Sequence, residues 1–155
     1  MLLILLLTVH SWFRWAVVLS TLTVGARCAW GWLRNRTWRP RDVAFGQAWI
    51  GAIDLQVSLG LLLYFTASPL AAVARQDLRS AWSDEWLRFF GIVHPLSMLV
   101  AATVAHASWI WTRRAEEGAN ERFRRLGLGV LGAVVLVALA IPWPFLPYGR
   151  PLARM

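Results

Sequence analysis

The chain predicts an all-α fold: an integral membrane four-helix up-down bundle with a short interfacial helix between its second and third spans. Three observations carry this. Apolar side chains make up 58% of the 155 residues and charged ones only 15%, against the roughly 25% usual for soluble domains. The mean hydropathy is +0.52. Apolar stretches long enough to cross a bilayer, about 20 residues each, recur near 5–33, 43–66, 86–111 and 124–147. Together they use nearly the whole chain, so residues 1–155 are expected to form a single transmembrane domain.

The first stretch, from Leu2 to Leu33, would be roughly 48 Å long as one helix, longer than the hydrocarbon core, so it must tilt or project. Its apolar start lacks a cationic flank and the apolar run continues past Arg14, so it reads as a retained helix and not a cleaved signal. The second and third spans centre near Asp54 and Met98. The fourth carries glycines at 127, 129 and 132, which suit close helix packing in lipid. Prolines in the run Ile-Pro-Trp-Pro-Phe-Leu-Pro halt it, and Trp143, Phe145 and Tyr148 suit the outer interface. The only long connection, 67–85, repeats Leu70, Ala74, Leu78, Ala81 and Trp82 at helical spacing. That pattern predicts one amphipathic helix lying on the membrane surface, either as plain structure or as a gating lid.

The formal charge of +8 does not mark a nucleic-acid binder, because its distribution follows the bilayer. There is no lysine. Arg34, Arg36, Arg39 and Arg41 crowd the first connection, and Arg113, Arg114, Arg122, Arg124 and Arg125 the third. The second connection and the C-terminal tail carry only Arg75, Arg79, Arg88, Arg150 and Arg154. The positive-inside rule then puts both termini on the periplasmic side of a bacterial inner membrane, with anionic lipid as a natural contact of the basic loops. The single cysteine, Cys28, can form no internal disulfide, and the lack of CxxCH excludes covalent c-type haem.

Chemistry is expected where ionisable side chains lie at membrane depth, since such groups are costly and usually face a bundle interior. At 1.5 Å per residue, His10 falls about 10 Å and His94 about 6 Å outward of the bilayer centre, while His106 falls about 12 Å to the inner side. Imidazoles from two helices at one level suit axial ligation of a single b-type haem. A membrane histidine also serves simply to fasten helices by hydrogen bonds, and both readings stand. Arg14 lies one turn from His10, Met98 continues the His94 face, and Arg88 at the outer mouth is placed to pair with haem propionates. Pro95 should bend the third helix beside His94. Helix 2 carries Gln47, Gly51, Asp54 and Ser58 on one face and Gln56 roughly opposite. An Arg14–Asp54 ion pair would lock helices 1 and 2, and a quinone headgroup between Asp54 and a histidine is a further reading. His106 reads as an interfacial residue. Most of the 11 tryptophans form an aromatic belt (Trp30, Trp32, Trp38, Trp82, Trp86, Trp109, Trp111 and Trp143). Trp12 and Trp15 instead flank His10. No phosphate-binding loop, dinucleotide fingerprint, zinc motif or nucleophile turn is present.

His-Ser-Trp-Phe-Arg-Trp at 10–15, Asp-Leu-Gln and Leu-Gly-Leu-Leu-Leu-Tyr-Phe within 54–65, Arg-Phe-Phe-Gly-Ile-Val-His at 88–94 and Ile-Pro-Trp-Pro-Phe at 141–145 occur in that order. With them the chain resembles a family of small four-helix bacterial membrane proteins labelled cytochrome b-like or uncharacterised. The resemblance spans nearly the whole chain and implies a b-type haem with an electron-transfer role. The family's histidine and arginine of helix 1 fall on His10 and Arg14, its helix 2 glutamine on Gln56 and its helix 3 histidine on His94. Two positions depart: Asp54 stands where helix 2 of the family has histidine, and Val93 where a glutamate precedes the helix 3 histidine. A haem held by that helix 2 histidine would not be held in the same way here.

These readings lead to a haem b electron carrier that exchanges electrons with quinol or with a larger respiratory or photosynthetic complex. The alternative is a non-catalytic accessory or assembly subunit whose buried polar groups only fasten helices.

Overall fold

The computed structural model describes residues 1–116 and 118–151. Arg154, counted above among the outer arginines, lies outside the described residues. Every regular element among them is helical. Helix α1 spans Leu2–Leu33. Helix α2 spans Pro40–Leu62 and runs on through a π turn at Leu63–Ala67. Three short helices follow, α3 (Pro69–Gln76), α4 (Leu78–Ser83) and α5 (Glu85–Arg88). A second π turn, Phe89–Val93, leads into α6 (His94–Arg113), and α7 spans Ala119–Ala140. Four of these stretches, Leu2–Leu33, Pro40–Ala67, Glu85–Arg113 and Ala119–Ala140, are long and apolar enough to cross a membrane. The chain is a multi-pass membrane protein.

Local chemistry explains the element ends. Asn35 takes a left-handed backbone (φ 48°) and closes α1, a conformation a short polar side chain tolerates. Pro40 opens α2 where a missing N–H costs nothing. Asp42, two residues on, accepts the Arg39 N–H at 2.9 Å and pairs with Arg27 of α1 at 2.6 Å. Asp42 is almost wholly buried, so this pair fastens the basic end of α1 to the start of α2; removing one partner would strand a buried charge.

The expected single amphipathic helix over 67–85 is broken in two places. Asp77 and Asp84 sit in extended conformation and cap α4 and α5, each carboxylate accepting backbone N–H groups of the following turn. Aspartate competes with a helix for its own backbone donors, and here that competition wins twice. The buried side of these short helices is Ala71, Ala74 and Ala81. Leu78 and Trp82, expected on the apolar face, are 66% and 61% exposed. The last span also differs from 124–147. It starts at Ala119 and stops at Ala140, because Pro142 and Pro144 cannot extend the hydrogen-bond ladder.

Helix α1 packs on α2 and α7, and α6 packs on α7 and α2. Small residues set the spacing. A Cβ on Gly46 would overlap the Trp109 ring, one on Gly129 the Ser108 side chain, and one on Gly91 the Cβ of Ala74. The core lies toward the basic end, where Val24, Trp49, Phe123 and Leu126 are fully buried. The Trp49 indole N–H donates to Thr21 Oγ1 at 3.0 Å, and the Thr21 hydroxyl donates to the Val17 carbonyl at 2.6 Å. The indole donor of this fully buried ring is thereby satisfied.

Gly46→Leu should lower stability by about 1–3 kcal/mol, the usual effect of overfilling a packed contact, read as a drop in the thermal midpoint in detergent. A hydrogen bond from Ser80 holds the Asp77 carboxyl below its ordinary pKa. A lowered pKa in the folded state means that the cap is intact above the ordinary value of 3.8 and is lost as pH falls through the lowered one. Amide exchange at Arg79 and Ser80, corrected for intrinsic rates, should rise across that acid window and become independent of it in Asp77→Asn.

Candidate functional site

His10 and His94 come together. Their ring centroids are 6.4 Å apart and the rings are inclined at 76°. Both side chains are only partly exposed. His10 projects from α1, and His94 is the first residue of α6, directly after the Phe89–Val93 π turn.

The turn follows from Pro95. Proline has no N–H for the carbonyl four residues earlier, and its ring crowds that turn. The ladder widens instead, with the His94 N–H donating to the Phe89 carbonyl. The carbonyl left without its usual donor is that of Gly91, and the Tyr64 hydroxyl, from the π turn ending α2, donates to it at 3.0 Å. Arg75 of α3 in turn donates to the Tyr64 carbonyl. The same logic governs the end of α7. Pro142 deprives the Ala138 carbonyl of a donor, and the Trp143 indole N–H takes its place at 2.8 Å. Pro144 deprives the Ala140 carbonyl, and His94 Nδ1 lies 2.7 Å from it.

These contacts determine the proton positions on both rings. A carbonyl only accepts, so His94 carries its proton on Nδ1 and presents a bare Nε2. The Gln56 amide donates from Nε2 to the His10 carbonyl at 3.1 Å and to His10 Nε2 at 3.2 Å. In that arrangement His10 Nδ1 and Gln56 Oε1 are both buried without a hydrogen-bond partner. Because Gln56 Nε2 is bonded to the His10 carbonyl as well, its N–H is the donor to His10 Nε2, and the His10 proton lies on Nδ1. His94 alone has the pattern of a metal-ligating histidine, one nitrogen fixed by a neighbouring group and the other open. Gly60 of α2 lies beside the His10 ring, where an added Cβ would stand 3.3 Å from Cε1.

Around this pair, Phe89 is buried with its ring 5.8 Å from that of His94 and stacks on Tyr148 of the tail at 4.0 Å. Arg14 acts electrostatically on both imidazoles, and its guanidinium lies 5.6 Å from the Trp15 ring centroid. Met98 is half-buried one turn along α6. Arg88 donates to the Trp82 carbonyl at 3.0 Å and so ties α5 to the end of α4. Trp12 and Trp15 are exposed.

The helix 2 stripe behaves otherwise than expected. Gln47, Gly51, Asp54 and Ser58 do share one face, but that face is exposed. Asp54 does not pair with Arg14; its Oδ1 lies 2.7 Å from His106 Nε2. Gln56 is the helix 2 residue turned toward α1. His106, read as interfacial, is the partner of Asp54. Side chains lean toward the N-terminus of their helix, so Asp54 on α2 and His106 on the oppositely numbered slope of α6 lean toward each other and close a gap in depth. The two imidazoles of the site, Gln56 and Arg14 were visible in the sequence. Tyr64, Phe89, Gly60 and the Ala140 carbonyl were not, although each proline named the carbonyl that would need a donor.

Among the described residues no group of three or more His, Cys, Asp or Glu side chains could hold a metal ion. A cavity of about 240 Å³ lies near the basic loops, lined by Trp38, Val43, Trp109, Thr112, Arg113 and Arg122, away from His10 and His94. No protein family, curated protein or solved structure matches the chain.

Nitrogen NMR of ¹⁵N-histidine-labelled protein should show a protonated Nδ1 and a bare Nε2 for His94.

Proposed function

We propose that the chain is a b-type haem electron carrier in which His10 and His94 would hold the iron. The observation that carries this reading is the approach of two imidazoles from different helices. A metal about 2 Å from each of two imidazole nitrogens sets ring centroids about 6 Å apart, against 6.4 Å here. Two protein ligands are too few for the four-coordinate sites of zinc. They suffice for an iron whose four equatorial nitrogens arrive with a porphyrin. The donor set therefore fits haem. When bound, haem would supply one-electron exchange.

The protein's own residues have definite tasks in this reading. The Ala140 carbonyl orients the His94 ring and raises its basicity through Nδ1–H. Gln56 holds the His10 ring and backbone to α2. Arg14 places a positive charge beside the ring pair, which favours the electron-rich state of the site and anionic propionates. Arg88, held to Trp82, is a second cation for a propionate, and Met98 lines the His94 side. The gap is screened on one side by Phe89 and Tyr148.

In the membrane, the four spans form an up-down bundle, supported by the helix neighbours and by the short polar first and third connections. Arginine clustering on those connections supports an orientation with both termini on the periplasmic side of a bacterial inner membrane. Helices α3 to α5 then form an interfacial roof over the histidine end, which lies at the outer side. Electrons would pass to and from quinol or a larger membrane complex.

A second reading has its own support. The Gln56–His10 and His94–Ala140 bonds each link separate helices, as expected of a scaffold or accessory subunit. One measurement separates the two. Protein purified from haem-replete cells should give a reduced-minus-oxidised α band, lost in His10→Ala and in His94→Ala and retained in His106→Ala. Circular dichroism shows whether each variant folds. A folded wild type without the band leaves the imidazoles as helix fasteners.

A further inference from the structure

The costliest exposed groups of the membrane-spanning surface lie away from the histidine site. Asp54 and His106 form their pair with 52% and 44% of the side chains exposed, well inside the spans Pro40–Ala67 and Glu85–Arg113. On the same face of α2, the exposed Gln47 and Ser58 side chains have no hydrogen-bond partner among the described residues. Other exposed hydroxyls in the spans are handled differently. Thr23, Thr66 and Thr103 each donate to the carbonyl four residues earlier, which satisfies them within their own helix. Hydrocarbon holds no water to serve Gln47, Ser58 or the remaining atoms of the pair, and ionisable side chains at this depth face protein or a wet cavity. This face is covered in the membrane.

We infer that the α2/α6 face carrying Asp54 and His106 is the interface of a symmetric homodimer. The pair is self-complementary. Asp54 uses Oδ1 and His106 uses Nε2 within one chain, leaving Asp54 Oδ2 and His106 Nδ1 open. A two-fold axis along the membrane normal, passing through the groove between α2 and α6, sets α2 of one copy opposite α6 of the other. Each Oδ2 then accepts from Nδ1–H of His106 of the second copy, closing a ring of alternating carboxylates and imidazoles. A second copy supplies the complementary donor and acceptor by symmetry. Gly51 lies on this face, and a Cβ there would meet nothing within 4 Å. The monomer has no packing need for glycine at this position, while a close helix approach does.

The test is the oligomeric state of the full chain in lipid nanodiscs, read by native mass spectrometry across a dilution series. It is paired with a short thiol cross-linker applied to membranes of a Cys28→Ala background. The wild type should be a dimer, and Gly51→Cys should cross-link far more than Leu139→Cys on the exposed face of α7. Gly51→Leu, which the folded monomer accommodates, should raise the dissociation constant by about tenfold or more. Asp54→Leu combined with His106→Leu should do the same, and the swap Asp54→His with His106→Asp should restore the dimer. A monomeric wild type, equal cross-linking at both cysteines, an undisturbed Gly51→Leu dimer, or a different membrane protein seated on this face would each overturn the inference. None of these readouts depends on haem.

Discussion

The constraint on which the rest of this structure depends is that a polypeptide in hydrocarbon must satisfy its backbone carbonyls from within. Three prolines, at 95, 142 and 144, each withdraw one N–H from a helical ladder, and each orphaned carbonyl recruits a side chain. Tyr64 crosses to Gly91, Trp143 folds back to Ala138, and His94 crosses to Ala140. The histidine end of the molecule is organised by these replacements. They hold α2, α6 and α7 together and turn the His94 ring so that its remaining nitrogen is free.

That arrangement links fold to chemistry. The two rings are held differently: His94 Nδ1 is fixed by the Ala140 carbonyl, while His10 is bonded by Gln56 at Nε2 and keeps Nδ1 buried without a partner. The π turns matter here because a strict α-helical approach to Pro95 would aim His94 elsewhere. Such turns often accompany functional residues, and both in this chain lie within reach of the histidine pair.

The two ends of the bundle divide the work. Toward the basic loops, packing is dense, built from Trp49, Phe123, Leu126 and glycines that admit rings, and fastened by the buried Arg27–Asp42 pair. Toward the histidine end the spans are joined mainly by directional polar contacts and by aromatic stacking of Phe89 on Tyr148. The exposed Asp54–His106 pair belongs to neither end, and it requires a covering surface for its own electrostatic reasons.

Four spans, their number and their apolar character were determined by composition and by run length alone, because the bilayer selects about 20 apolar residues whatever their neighbours. The approach of His10 and His94 was also legible, since depth follows from counting residues along rigid helices. What depth cannot supply is azimuth. The sequence placed Asp54 level with Arg14, but only tertiary packing decided that α2 turns Gln56 toward α1 and Asp54 outward to His106. Aspartates 77 and 84 looked compatible with one amphipathic helix until their capping of separate turns prevailed. Helix rotation and carbonyl rescue depend on what lies across the gap, and one-dimensional spacing does not contain that information.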